Sequence, residues 1–331
     1  MQNAKLKKRV LSGIQPTGKL HLGNLIGAIE NWVKLQDKYE CFFFIADLHA
    51  LTSTYDDPKN LKDDIQGVAI DLLASGIDPK KCVLFKQSDL MEHAELHLLF
   101  SMVTPVPWLE RVPTYKSKIE ELKGKDLGTY GFLGYPVLQA ADILIYKADF
   151  VPVGQDQLPH IELTREIARR FNNFYGNIFP EPKDLLTQFP TLPGLDGRKM
   201  SKSYNNTIAI SDPPDVIKKK VSTMITDPAR IKKEDKGHPE VCSVYDFYKV
   251  FGKDLTDVVA SECKEAKRGC VACKKQLAQV LIDYMAPIHK KRAQLTEDRG
   301  QIDKILQDGA AKAKKIAAKS LLEAKKAMGL I

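Results

Sequence analysis

Two short runs in this chain carry residue types suited to handling phosphate. Lys199-Met200-Ser201-Lys202-Ser203 follows Gly197 and sets two lysines three residues apart with small hydroxyls beside them. Mobile ammonium charges and hydroxyl donors at that spacing suit a polyphosphate. Upstream, His21-Leu22-Gly23-Asn24 lies between a strand-like run, Arg9 to Ile14, and a helix-like run, Leu25 to Tyr39. A strand-to-helix turn offers backbone N–H groups at the positive end of a helix dipole, where an anion is favoured. The alternative for His and Asn at such a turn is a plain helix cap.

A third run, Gly13-Ile14-Gln15-Pro16-Thr17-Gly18-Lys19-Leu20, follows the same strand and spells most of a P-loop. It departs at two places: Leu20 replaces the hydroxyl that would coordinate Mg²⁺, and Pro16 lacks a backbone N–H. Four of the six cysteines form the pattern Cys242-x20-Cys263-x6-Cys270-x2-Cys273. Four thiolates with one close pair admit structural Zn²⁺ or an iron–sulfur cluster, the alternative being four unrelated buried thiols. Cys41 and Cys82 lie in apolar strand-like runs and read as small buried hydrophobes.

The elements that must hold these groups follow from the hydrophobic pattern. Nearly continuous apolar runs at 9–14, 41–48 and 82–87 alternate with amphipathic stretches at 22–38, 58–75 and 92–102. Strands apolar at successive positions are buried on both faces, and the alternation predicts an α/β fold, a doubly wound parallel sheet with its ligand crevice at the strands' carboxyl ends. After the Pro- and Gly-punctuated stretch Phe189 to Gly197 the periodicity becomes helical, from about 212 to 325, which predicts a mainly helical second domain. The chain has 331 residues and a net charge of +8, a modest excess that favours a polyanionic partner. It has no apolar run of about 18 residues and its first residues lack the apolar stretch of a secretory signal, so a cytoplasmic location without membrane contact is expected.

In this order, the two phosphate-type runs resemble the HIGH and KMSKS signatures of class I aminoacyl-tRNA synthetases. The stretches Tyr135-Pro136-Val137-Leu138-Gln139-Ala140-Ala141-Asp142-Ile143-Leu144-Ile145-Tyr146, Val151 to Gln157 and His160 to Arg165 are similar to the tryptophanyl-tRNA synthetases of bacterial type, over essentially the whole chain. The resemblance implies a Rossmann-like catalytic domain over 1–195, the KMSKS loop and linker over 196–211, and a helical anticodon-binding domain over 212–300. A C-terminal helix over 301–331 would pack back on the catalytic domain. It also implies the reaction: ATP-dependent attachment of L-tryptophan to tRNA(Trp) through a tryptophanyl-adenylate, with Mg²⁺ accompanying ATP.

Carried onto these residues, the family's roles put Asp142 against the indole N–H, and Tyr135 and Gln157 at the amino and carboxylate end of tryptophan. Gln15, Pro16, Thr17, Gly23, Asn24, Gly154, Gln155, Asp156, Lys199, Met200, Ser201, Lys202 and Ser203 would line the ATP site. His21, Asn24, Lys199, Lys202 and Lys118 would stabilise the developing charge. Gln139 stands where many bacterial members have Met, and His21 where many have Thr. A subset of the family carries a [4Fe-4S] cluster on four cysteines with a slightly longer first gap, which implies such a cluster at Cys242, Cys263, Cys270 and Cys273, with Zn²⁺ as the alternative. The subgroup forms homodimers, for which the apolar segment Ser101 to Leu109 is a candidate surface. The competing readings are a tyrosyl-tRNA synthetase and a non-catalytic RNA-binding homologue, the latter expected to show eroded ATP motifs.

Overall fold

The computed structural model describes residues 7–113, 115, 127–186, 192–232 and 234–331. In chain order, β1 (Arg9–Ile14) leads to α1 (Leu22–Asn24), a π-helical turn (Leu25–Ile29) and α2 (Glu30–Leu35). Next come β2 (Glu40–Ile45), α3 (Asp47–Thr54), α4 (Leu61–Ala74), β3 (Val83–Lys86), α5 (Met91–Ser101) and α6 (Val106–Glu110). α7 (Tyr130–Ile145), β4 (Phe150–Val153), α8 (Leu158–Tyr175) and β5 (Lys183–Leu186) complete the α/β part. The remainder is helical: α9 (Pro214–Thr223), α10 (Ser243–Phe251), α11 (Thr256–Lys264), α12 (Cys270–Glu297) and α13 (Arg299–Ala327).

The five strands form one parallel sheet in the order β3-β2-β1-β4-β5, with Arg9 opposite Glu40 and Val10 opposite both Cys41 and Phe150. Strand β2 has five buried residues in succession, Cys41 to Ile45. Side chains alternate along a strand, so this run is possible only with cover on both sides. Cys41, Phe43 and Ile45 enter a cluster with Val10, Leu22 and Trp32, whereas Phe42 and Phe44 enter another with Leu11, Phe85 and Phe100. The Trp32 and Phe43 rings stack at 4.7 Å on the first side, and Phe42 stacks on Tyr146 at 5.0 Å on the second.

Two sequence expectations need correction. The strand read over 41–48 stops at Ile45, because a helix begins at Asp47, whose carboxylate accepts from the Leu48 and Ser88 backbone N–H groups at 3.0 and 2.9 Å. The helix read over 22–38 is three pieces with a π-turn at its centre, which places Gly27 and Ala28 toward the cavity described below.

The helical part does not close a separate core. Ile217, Val221, Phe247, Leu277 and Leu281 belong to the same buried cluster as Val10 and Trp32. Polar ties reinforce the junction: Arg292 Nε donates to the buried Asp71 carboxylate at 2.6 Å, His289 Nε2 donates to the Ile210 carbonyl at 2.9 Å, and the Tyr284 hydroxyl donates to Glu30.

Helix α13 returns to the sheet. Its Ile302 and Leu306 sit in the cluster on one face, while Ala310, Ala313, Ala317 and Ala324 sit in the cluster on the other. Between them Gly309 crosses the free edge of β3, so close that a Cβ there would fall 1.8 Å from the Leu84 carbonyl oxygen. Gly309→Ala is therefore expected to lower stability by about 1–3 kcal/mol, the usual cost of overpacking. Gly67→Ala, inside α4 with nothing within 4 Å of the added carbon, should match or exceed the parent. Thermal melts of both variants check this; an unchanged melting temperature for Gly309→Ala would mean that the helix does not press on the strand.

Candidate active site

A cavity of about 360 Å³ opens at the carboxyl ends of β1 and β4. These strands are the point at which the chain's order across the sheet reverses, and the loops leaving them diverge. Gly13 and Gln15 line it from β1, Asn24, Gly27 and Ala28 from the following turn, and Val153, Gly154 and Gln157 from the end of β4. Tyr135, Gln139 and Asp142 close it from α7, with His49 and His160 beside Tyr135 at ring separations of 5.2 and 5.6 Å.

His21 and Asn24 form a reciprocal cap. His21 Nδ1 accepts from the Asn24 backbone N–H at 3.3 Å, and Asn24 Oδ1 accepts from the His21 backbone N–H at 3.1 Å. Burial, and then the Lys202 charge, pull the imidazole down to about 4, so the ring is neutral near pH 7. Because Nδ1 is an acceptor, the hydrogen of the neutral ring sits on Nε2. Capping thus leaves the Nε2–H of the same side chain as a separate donor. Gly23 keeps the ring in place: a Cβ there would lie 2.9 Å from Nδ1.

The Lys199–Ser203 segment lies against this turn although nearly 180 residues separate them. Leu22 N–H donates to the Ile208 carbonyl at 2.9 Å and Ile210 N–H to the Leu20 carbonyl at 2.8 Å, which stitches the two loops together. Met200 is buried, whereas Lys199 reaches across to Asp156 at 3.7 Å. Lys202 Nζ donates to the Gly18 carbonyl at 2.9 Å. Gly18 has φ of +95°, a backbone turn that glycine adopts without strain. The loop's shape is organised by Asn206, a residue without any sequence signal. It accepts from the Ser201 N–H at 2.8 Å and donates to Asp196 at 2.7 Å and to the Lys199 carbonyl at 3.2 Å.

Asp142 is 2 % exposed and lines the cavity. Its carboxylate accepts from Gln87 and His93, neither of which the sequence pattern singled out. Gln157 lies on the opposite wall and hydrogen-bonds Asp156 at 3.3 Å. Thr17, Gln155 and Ser203 are exposed and Pro16 is buried, and none of the four lines the cavity. Lys118 falls outside the described residues.

The four grouped cysteines lie on α10, α11 and α12 and their flanks, away from this cavity. Among the described residues no three His, Cys, Asp or Glu side chains gather as one bound ion requires. The thiols nonetheless sense one another. Burial raises the Cys263 thiol; Arg230 opposes this, and Cys242 and Cys270 add to it. Burial likewise pushes Cys273 up to about 11, against Arg268 and with Cys242 and Cys263. Gly237 leaves room at this spot, since a Cβ there would lie 2.4 Å from the Cys263 sulfur.

With this geometry in view, the chain matches the family model described as tRNA synthetases class I (W and Y) over residues 3–286. It is 52% identical to the tryptophan–tRNA ligase of Thermotoga maritima, covering 98% of this chain and 99% of that one. It is 45% identical to that of Aquifex aeolicus, covering 97% and 100%. The tryptophanyl-tRNA synthetase of Campylobacter jejuni complexed with ADP and tryptophan superimposes with a TM-score of 0.89 at 37% identity, covering 97% of this chain and 99% of that one.

Lys202 supplies a test of the site's physical cost. Burial pulls its ammonium from 10.5 down to about 8, against the raising pull of Asp64 and Asp71. Below the folded-state value the buried charge burdens folding in full. Between pH 8 and 10.5 the unfolded chain holds a proton that the folded chain lacks, so this group's contribution rises with pH. Lys202→Met is expected to be more stable than the parent at pH 7 by about 1–3 kcal/mol, with the two converging above pH 10.5. Denaturant titrations at neutral and high pH read the difference; equal stability at pH 7 would show a solvated ammonium.

Proposed function

As a member of the class I tRNA synthetases of the tryptophan and tyrosine group, the chain is a tryptophan–tRNA ligase, and we propose that its first step takes place in the cavity above β1. The observation that carries this reading is a buried carboxylate, Asp142, lining one cavity with Asn24, while the Lys199–Ser203 loop is tied by backbone bonds to the turn that bears Asn24. Indole offers one N–H donor and no acceptor, so a site that reads it needs one desolvated acceptor. A buried acceptor left unpaired by phenylalanine penalises that competitor strongly.

In the proposed chemistry the tryptophan carboxylate attacks the α-phosphorus of ATP. Pyrophosphate leaves, and tryptophanyl-adenylate remains. The terminal ribose hydroxyl of tRNA(Trp) then attacks the acyl carbon and releases AMP. No protein nucleophile is needed; the enzyme aligns two anions and stabilises charge building on the pyrophosphate. Tyr135 and Gln157 would hold the amino and carboxylate end of tryptophan. Gln15, Pro16, Thr17, Gly23, Asn24, Gly154, Gln155 and Asp156 would frame ATP. His21, through its Nε2–H, with Asn24, Lys118, Lys199 and Lys202, would meet the phosphates, joined by Met200, Ser201 and Ser203 of the loop. Mg²⁺ brought in with ATP would supply charge neutralisation at the phosphates.

The four cysteines are proposed to hold a [4Fe-4S] cluster. Cys242, Cys263, Cys270 and Cys273 lie near enough to influence one another, Arg230 and Arg268 favour their thiolate forms, and Gly237 keeps space beside Cys263, all of which fit a thiolate-ligated cluster. A cluster separates its four sulfurs over four irons and so requires less closure than a single Zn²⁺. Bound, it would fix the segment carrying Lys264 to Arg268, Lys274 and Lys275, a basic run suited to tRNA phosphates. A cytoplasmic location fits six cysteines without disulfides and, among the described residues, no helix long and apolar enough to cross a membrane. A two-fold dimer is proposed through the Ser101–Leu109 segment, which exposes Met102 and Val106, beside Met91 and Leu98 exposed on α5.

Pyrophosphate exchange with each amino acid tests the function. Exchange should depend on tryptophan, and Lys202→Met should lose about 100-fold or more in kcat with a smaller change in tryptophan KM. Tyrosine-dependent exchange would redirect the assignment. Native mass spectrometry of anaerobically purified protein should give a dimer with one four-iron, four-sulfide cluster per subunit. A monomer mass at all concentrations would remove the dimer, and zinc without iron would remove the cluster.

A further inference from the structure

We propose that His93 and Gln87 are positioning residues that fix Asp142, and that through it they set the preference for a substrate carrying an indole N–H. The inference rests on the reading of Asp142 given above and extends it to two residues about 50 positions away in the chain.

All three side chains are sealed from solvent: Gln87 and His93 are 0 % exposed and Asp142 2 %. Gln87 Nε2 donates to both carboxylate oxygens at 2.8 Å, and His93 Nδ1 donates to Oδ1 at 2.6 Å. Each donor is itself held in one orientation. Gln87 Oε1 accepts the His49 backbone N–H at 3.1 Å; flipping the amide would set two donors against each other and leave the carboxylate facing an oxygen. A carboxylate has no proton to give, so the hydrogen between it and His93 belongs to Nδ1. The ring's Nε2 lies 2.8 Å from the Tyr146 hydroxyl, a second polar tie that holds the imidazole at its other end. Burial, with the charges of Asp142 and Glu92, raises that phenol well above its ordinary value, so its hydrogen stays in place.

Counting acceptor positions gives the consequence. A carboxylate offers about four lone-pair sites. Oδ1 receives two donors and Oδ2 receives one, so the remaining capacity is concentrated on Oδ2, on a residue that lines the cavity. One further N–H completes the set. Removing a donor from Oδ1 would free both oxygens to rotate and dissolve this preference. Such bonds to a buried charge are worth enough to matter at the level of substrate choice.

The experiment compares tryptophan with β-(3-benzothienyl)alanine, in which sulfur replaces the indole N–H, by pyrophosphate exchange. The enzymes are the parent, His93→Leu, His93→Asn, Gln87→Met and Asp142→Asn. His93→Leu and Gln87→Met should raise the KM for tryptophan about tenfold or more relative to the analogue, with the KM for ATP unchanged. His93→Asn, whose amide N–H stands near the Nδ1 position, should restore most of the selectivity. Equal losses for both substrates, or a parental ratio in His93→Leu and Gln87→Met while Asp142→Asn shifts it, would assign these residues to packing and overturn the inference. A parental ratio in Asp142→Asn itself would overturn the reading of Asp142 on which it stands. Should His93→Leu fail to fold, Gln87→Met and His93→Asn decide by the same ratio.

Discussion

Strand β1 pairs with β2 on one side and β4 on the other, and the connections that follow these strands leave in opposite directions. The space above its carboxyl end therefore stays open while the sheet below is sealed on both faces. Every group discussed as a ligand contact is delivered to that opening by a different route. The turn after β1 brings Asn24, capped by His21, the end of β4 brings Gly154 and Gln157, and α7 brings Tyr135 and Asp142. The Lys199–Ser203 loop has no strand of its own in this sheet. It is held by backbone pairing of 208–210 to 20–22.

Charges gathered at that opening extend into the rest of the fold. Lys202 feels Asp64 and Asp71 on α4, and Asp71 in turn is bound by Arg292 from α12. Burial raises the Asp71 carboxyl despite its guanidinium partner, the expected sign where desolvation outweighs pairing. One buried carboxylate thus stands between Lys202 of the Lys199–Ser203 loop and Arg292 of the helical part.

Legibility in the sequence followed the range of the interactions. The run Cys41 to Ile45 declared a doubly covered strand because five successive apolar residues have no other economical place in a sheet. The turn at His21 to Asn24 was readable because its capping bonds span three residues. Gln87 and His93 were not, since a Gln and a His acquire meaning only when the fold brings Asp142, about 50 residues later, between them. Asn206 was silent for the same reason: its partners are mostly backbone atoms, which leave no pattern of side chains. The overrun of β2 to residue 48 arose because Ala46, Leu48 and Ala50 are apolar in either period, whereas the bond that ties Asp47 to the Ser88 N–H forms only between residues far apart in the chain.

Helix α13 has a consequence for the order in which the molecule can be completed. Gly309 seals the outer edge of β3 at Leu84, yet follows it by more than 200 residues. A ribosome makes the strand long before its cover. Throughout synthesis of the intervening chain, β3 presents unpaired N–H and C=O groups along a hydrophobic edge, the arrangement that invites pairing with a neighbouring nascent chain. The β3 edge is thus the last border of the sheet to be sealed, and it stays available for pairing until the alanine face of α13 emerges.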